Sequence, residues 1–372
     1  KMQSSMITLD EINLLEYELI DYMGCGCFDE VSFIREKNTQ EIYASKVIFR
    51  NMQLENENDQ LLIDGEINKM FKLNHPTILK FIGFSKMNFC NESKPTVIME
   101  YARNKSLFDF LGRMRRSQSK FWNSTKKLKC IYGIASGMKY LHSLEILHRN
   151  LHPSNILLTD EFLPKITDFV LSNQIHNDST RHTFESENEF RSWASFLAPE
   201  IWTKQIYSKA SDVYAFGMIV YEIMTTEIPF SNLNCDQIRD SVLRNQRPQF
   251  RIPLEAVYQQ LITQCWSQNP EERPTFESIV EYLTQNSEFI TESVDKNEYF
   301  EYVNYIDEYS KAIDKSQEIQ LTSQFAESLS KRIIDEINLL ANQGDSYAMN
   351  YYGVMLDNGE GVLMNKEEAC RY

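Results

Sequence analysis

The stretch HRNLHPSNILL at 148–158, followed by DFV at 168–170, gathers the side chains of this chain that could do chemistry. Asn155 offers an amide oxygen and Asp168 a carboxylate, both hard oxygen donors. Asn150 offers only a carboxamide. A carboxylate can accept the proton leaving a hydroxyl, whereas a neutral carboxamide cannot. His152 is mostly neutral near pH 7 and therefore a poor stabiliser of phosphate charge. Further upstream stand a glycine-rich run, MGCGCFDEV at 23–31, a lysine inside YASKVI (Lys46) and a glutamate opening GEINKMFKLNHPTILKFIGF (Glu66).

These residues need elements to hold them. Strand-like segments dominate 17–50 and 78–101, with one helix near 58–73. From Leu107 onward the patterns turn helical: FDFLGRM, LKCIYGIASGMKYLHSL, SDVYAFGMIVYEIMTT, LEAVYQQLITQCW and FESIVEYLTQ. A small sheet-rich lobe followed by a larger helical lobe is expected.

The motifs and their order resemble those of the protein kinase superfamily. Besides the segments above, IMEY at 98–101, LAPE at 197–200, DVYAFG at 212–217 and CWSQNPEERPTF at 265–276 fall at kinase-like separations over 17–285. The GF after HPTILKFI and the closing CW-x-x-x-P-x-x-R-P look most like the tyrosine-kinase-like group. The resemblance implies an α+β, two-lobed protein-kinase fold with ATP between the lobes. It implies Gly24 and Gly26 over the phosphates and Val31, Ala44 and Leu157 around adenine. Met99 would be the gatekeeper, with Glu100 in the hinge strand behind it. Lys46 would pair with Glu66 to position the phosphates, and Asn155 and Asp168 would hold magnesium. His148, Phe169, Met70 and Phe81 match an apolar spine, Glu200–Arg273 a buried ion pair, and Asp212 an anchor for the catalytic loop.

Four positions depart from the family. Asn150 stands at the base position and His152 at that of the lysine that steadies the transferred phosphate. Asp29 replaces a loop glycine, and Glu30 follows it. A carboxylate at about 5 Å from a phosphate oxygen costs on the order of 3 kcal/mol at an effective dielectric of about 20. Val170 replaces the glycine after Asp168–Phe169 and stiffens the backbone there. A pseudokinase is expected, binding ATP weakly and with little metal dependence, and acting as a nucleotide-responsive scaffold. Two other readings stand beside it. One is a weakly active kinase, serine/threonine rather than tyrosine; the other is an adaptor with an empty pocket. Arg149 is retained, so phosphorylation at Ser179, Thr180, Thr183 or Ser186 could still be read; Glu185, Glu187 and Glu189 read as solvated loop charge.

Composition bounds the rest. A formal charge of −15 disfavours nucleic acid and anionic membranes as partners, and the basic stretch 103–120 reads as a solvated helix end. Seven cysteines without paired metal spacing read as reduced thiols, including Cys25 and Cys27 in the glycine-rich run. The longest apolar run, 213–224, is broken by Gly217 and Glu222 and is too short for a bilayer span. A cytoplasmic protein is expected.

The expected organisation is an N-terminal extension (1–16), a kinase-like domain (17–286), an acidic, Tyr-rich linker without clear period (287–317) and a helical region (318–372). In that region 318–343 reads as an amphipathic helix. Residues 344–372 resemble the start of a Sel-like repeat, on Ala348, Tyr352–Gly353, Gly359, Gly361–Val362 and Ala369. One repeat cannot bury its own face. The kinase lobe, further repeats or a second copy of the chain would cover it; contact with another chain is the expected cover. Protein partners are expected through the repeat and the lobes, and removal of 316–372 is expected to leave a folded core.

Overall fold

The computed structural model describes residues 11–25, 30–47, 67–169, 193–312 and 315–372. They form two compact units: a sheet unit and a helical unit that also includes residues 75–77. The α+β class expected from the motifs is the class observed.

In the sheet unit, β1 (Tyr17–Cys25), β2 (Glu30–Glu36), β3 (Ile42–Val47), β4 (Phe81–Ser85) and β5 (Thr96–Glu100) lie in the order β1-β2-β3-β5-β4. Every pairing is antiparallel. The period-2 alternation of strands sorts the residues by face. Ile34 and Ile98 are fully buried on one face, joined by Tyr17, and Ile12, Leu14 and Tyr43 pack against them. Residues 11–16 pack onto this unit: Ile12 N–H donates to Phe84 O at 2.8 Å. Gly83 permits the approach, since a Cβ there would stand 1.3 Å from Ile12 Cδ1. Of the helix expected near 58–73, residues 67–71 are helical, and 48–66 lie outside the described residues.

The helical unit begins with α1 (Leu107–Ser117), whose buried Leu107, Phe110, Leu111 and Met114 follow a 3.6-residue period. Ser106 caps it by accepting from Asp109 N–H at 3.1 Å. The almost wholly buried α2 (Ser124–Ser143) leads to the short hairpin β6 (Ile156–Leu158) and β7 (Pro164–Ile166). Then come α3 (Pro199–Lys204), α4 (Lys209–Thr225), α5 (Cys235–Leu243), α6 (Ala256–Cys265) and α7 (Phe276–Gln285). Among the described residues no helix is long and apolar enough to cross a membrane.

His75 ties residues 75–77 to α2. Its ring stacks on Tyr140 at 5.1 Å, and Nδ1 accepts from Thr77 N–H at 3.2 Å. Burial pushes its pKa from 6.5 down to about 3, with Lys165 adding to the effect. The stability contributed by the neutral ring is complete above pH 6.5 and is lost as pH falls toward about 3, because only the unfolded chain takes up the proton across that window. The slope from this group is at most about 1.4 kcal/mol per pH unit. Denaturant melts across that range should show stability falling with acidity, and His75→Gln should flatten the dependence.

The C-terminal region differs most from expectation. The segment expected as a linker contains α8 (Lys296–Lys311), which buries Tyr299, Tyr302, Val303 and Ile306. Its tyrosines form a ladder against α2, with Tyr132–Tyr299 and Tyr132–Tyr302 ring centroids at 5.9 and 6.0 Å. Gly133 makes room, since a Cβ there would meet Tyr302 Oη at 2.4 Å. Buried Lys129 bonds Glu298 Oε1 at 2.8 Å. Beyond it, α9 (Lys315–Asn342), α10 (Ser346–Asn358) and α11 (Lys366–Ala369) follow. The stripe Leu329, Ile333, Ile337 and Ala341 is buried, as are Tyr347, Ala348 and Leu356. Their cover is the chain itself. Tyr347 packs on Phe110 and Phe121 at 5.9 and 5.5 Å, and Lys126 pairs with Glu336. Asp345 accepts from Ser119 Oγ at 2.9 Å and Lys120 N–H at 3.0 Å while capping α10. Within the chain, α1 and the loop after it thus pack on Tyr347 of α10, and Glu336 of α9 meets Lys126 of α2.

Candidate functional site

The site residues fall in both units. In the sheet unit the register sets Val31 opposite Lys46, Lys46 opposite Val97 and Ala44 opposite Met99. Val31, Ala44, Lys46 and Met99 therefore share one sheet face, the face away from the Ile34–Ile98 core. Val31, Ala44 and Lys46 are half-buried, and Met99 is buried. Gly24 pairs with Val31 at the end of β1. Glu100 is turned to its own strand neighbour: its Oε1 accepts from Lys80 N–H at 2.8 Å, and its N–H donates to Lys80 O at 3.0 Å. In the same unit Phe81 packs against Phe71, ring to ring at 6.2 Å. Gly26, Asp29, Glu66, Val170 and the serines, threonines and glutamates at 179–189 lie outside the described residues, as does Cys27.

In the helical unit one buried carboxylate organises the loop. Asp212, in the first turn of α4, accepts from the N–H groups of His148 and Arg149, both at 2.9 Å, and from His142 Nε2 at 2.8 Å. Arg149 takes φ 64° and Asp168 φ 60°, left-handed values that cost a non-glycine residue of order 1–3 kcal/mol. The Asp212 bonds hold the first of these bends. His148, fully buried, meets the Phe169 ring edge-on at 6.2 Å and accepts the Asn150 N–H on Nδ1 at 3.3 Å. Burial lowers its pKa, partly opposed by the Asp212 and Asp168 charges. The ion pair expected at the base of this unit forms, with Arg273 Nη1 and Nη2 on Glu200 Oε1 and Oε2 at 2.7 and 2.9 Å.

The β6–β7 hairpin brings Asn155 and Asp168 to one end. Ile156 pairs with Ile166, and Thr167 N–H donates to Asn155 O at 3.0 Å. Leu157, half-buried, pairs with Lys165 in the same hairpin. Asn155 Nδ2 donates to Asn150 O at 2.8 Å and to His152 Nε2 at 3.1 Å. Since an amide nitrogen only donates, Nε2 is the acceptor and the imidazole proton sits on Nδ1. Both amide hydrogens are thereby used, leaving Asn155 Oδ1 as the group's free donor atom for a cation. Burial drives the His152 pKa from 6.5 to about 4, with His148 adding to the effect and Asp168 opposing it. His152 is thus neutral at physiological pH. The sequence showed the residue type at 152 but carried no signal for this bond to Asn155.

The donor set fits magnesium: an oriented amide oxygen on Asn155 and the carboxylate of Asp168 are hard oxygen ligands of the right kind. At Asn150 no proton acceptor is available, and the Nε2 lone pair of His152 is already engaged.

Residues 17–283 match the family described as protein tyrosine and serine/threonine kinase. Among individual proteins, the chain is 31% identical over 312 residues to the dual specificity protein kinase pyk3 of Dictyostelium discoideum, covering 83% of this chain and 21% of that protein. It is 28% identical over 293 residues to the dual specificity protein kinase splA of the same organism, covering 74% of this chain and 12% of that one. Mitogen-activated protein kinase kinase kinase 7 of Bos taurus is 27% identical over 287 residues, 76% of this chain and 45% of that protein. The chain thus spans less than half the length of each of these relatives.

Proposed function

The chain belongs to the protein tyrosine and serine/threonine kinase family, and from that premise we propose that it is a kinase-type signalling protein whose phosphoryl transfer is impaired. The observation that carries this reading is the pair of groups at the reaction centre. Asn150 holds a carboxamide where the family holds a proton acceptor, and His152 is a neutral ring spent on orienting Asn155. General-base catalysis is worth roughly 10²–10⁴ in rate.

Binding survives better than chemistry in this arrangement. Val31, Ala44 and Met99 supply an apolar sheet face for adenine, with Lys46 on the same face for phosphate oxygens. Asn155 and Asp168 would hold magnesium, which supplies charge neutralisation for the phosphates. Asp29 in the glycine-rich stretch opposes the phosphate tail, so ATP binds weakly and magnesium adds little. The protein then works through nucleotide-dependent conformation as a scaffold in the cytoplasm. Its protein contacts are made by its lobes and by outward residues of the C-terminal region, such as Val354 of α10 and Leu363 of the loop after it, exposed by 50% and 91%. A kinase-like domain over 17–286 with a helical extension is the organisation that goes with this reading. Asn155 and the intact Asp212 anchor favour weak residual transfer as the second reading, since phosphoryl transfer leans on positioning.

Two measurements on the same preparation test it. A thermal-shift titration with ATP, with and without magnesium, should give a small upward shift with little metal effect. A radiolabelled transfer assay against generic substrates should show negligible turnover. Sustained turnover abolished by Lys46→Met would sink the proposal in favour of an active kinase, and an absent thermal shift would favour an adaptor with no nucleotide.

A further inference from the structure

Within the helical unit, the C-terminal half of α1, the start of α2 and the segments following α4 enclose a cleft of about 630 Å³ that shares no lining residue with the catalytic loop. Its apolar walls include Met114, Trp122, Ile228 and Ile252. Three cations line it, Arg115, Lys127 and Arg251, against one carboxylate, Glu227. That balance inverts the charge of a chain whose formal total is −15.

The cations are not equivalent. Arg115 is committed: its Nη1 donates to Glu222 Oε1 at 3.1 Å and to Thr226 O at 3.0 Å. Lys127 is half-buried, and its ammonium donates to Met224 O at 3.0 Å. Among the described residues neither Lys127 nor Arg251 forms an ion pair, and Glu255 acts on Lys127 only from further away. An ammonium has three donors, so Lys127 keeps capacity for an incoming oxygen. Glu227 is turned toward Tyr221, whose hydroxyl donates to it at 3.2 Å. Two uncommitted positive charges and one negative leave a surplus of about one. A carboxylate matches that surplus, and a phosphate dianion exceeds it. Ile252, 40% exposed, stands at the rim as an apolar contact.

We propose that this cleft binds a peptide segment of a partner protein in which an acidic side chain stands next to an apolar one. The carboxylate meets Lys127 and Arg251, and the apolar side chain enters between Met114, Trp122 and Ile252. A cavity of this size takes a few side chains, and its concavity suits an inserted segment rather than a flat surface. This proposal is independent of nucleotide binding and of catalytic competence.

The test uses the full chain and a fluorescein-labelled peptide alternating aspartate with leucine, followed by anisotropy. Saturable binding is expected, weakened about tenfold by Arg251→Glu and by Lys127→Met, while a lysine–leucine peptide of equal length does not bind. Arg251 is exposed, so its variant should keep the melting temperature of the parent and report binding alone. The proposal is overturned if no saturable binding occurs at millimolar peptide, or if both variants bind as the parent does. Tighter binding of a phosphoserine–leucine peptide would overturn the carboxylate assignment.

Discussion

A chain ending at residue 314 is expected to melt more than about 10 °C below the full one and to aggregate, since losing several kcal/mol shifts a domain of this size by that order. The reason lies in what the lost helices cover. Phe110, Phe121 and Phe162 are buried; Tyr347 packs on the Phe110 and Phe121 rings at 5.9 and 5.5 Å, and Tyr351 on the Phe162 ring at 5.7 Å. Each large apolar side chain taken out of water contributes about 1.5–3 kcal/mol, an upper bound because unfolded chains are partly compact. The ordering entropy of the deleted helices vanishes with them, which offsets part of the loss. Truncation also strands the ammonium of Lys126, 7% exposed in its side chain, without Glu336. A milder probe is Asp345→Ala. Burial alone would raise that carboxyl's pKa, yet hydrogen bonds from Ala348 and Lys120 N–H and from the Ser119 hydroxyl hold it below the usual range. Losing the cap should cost about 1 kcal/mol. Scanning calorimetry and light scattering on all three proteins decide the matter. An unchanged melting temperature after truncation would make residues 315–372 a separate domain.

Asn150→Asp is expected to raise phosphoryl transfer by up to about 10²–10⁴ over the parent, the usual worth of a positioned base. The loop should accept the change. Asn150 takes part in the described hydrogen bonds through its backbone, with its O accepting from Asn155 Nδ2 at 2.8 Å and its N–H donating to His148 Nδ1 at 3.3 Å. A carboxylate can therefore replace the carboxamide while Asn155 keeps its orientation. The gain is read as initial rate at saturating ATP and magnesium, with Lys46→Met in the same background as the control. No gain would move the defect to the neutral His152, or to Asp29 and Val170.

Much of this molecule was legible in its sequence because motif identity and periodicity are local properties. The strand-like stretches 17–50 and 78–101 hold the five strands of the sheet, and the helical pattern read from Leu107 onward begins with α1. The carboxamide of Asn150 and the imidazole of His152 were equally plain, since what a side chain can donate or accept depends on its type. Tertiary structure decided where those capacities are spent. His152 is neutral because packing desolvates it, and it orients Asn155 because a three-residue turn brings Nε2 to 3.1 Å of the amide. The helix at 296–311 was passed over although Tyr299, Tyr302, Val303 and Ile306 stand at helical spacing, because tyrosines among many acidic residues mark an apolar face weakly; it is stabilised by a tyrosine ladder that needs Gly133 of α2 for its approach. The stripe of α9 announced that it required cover but not which cover. Amphipathicity records that a face must leave water, whereas shape and charge elsewhere in the chain set the contacts, here Lys126 with Glu336 of α9 and the rings of Phe110 and Phe121 with Tyr347 of α10.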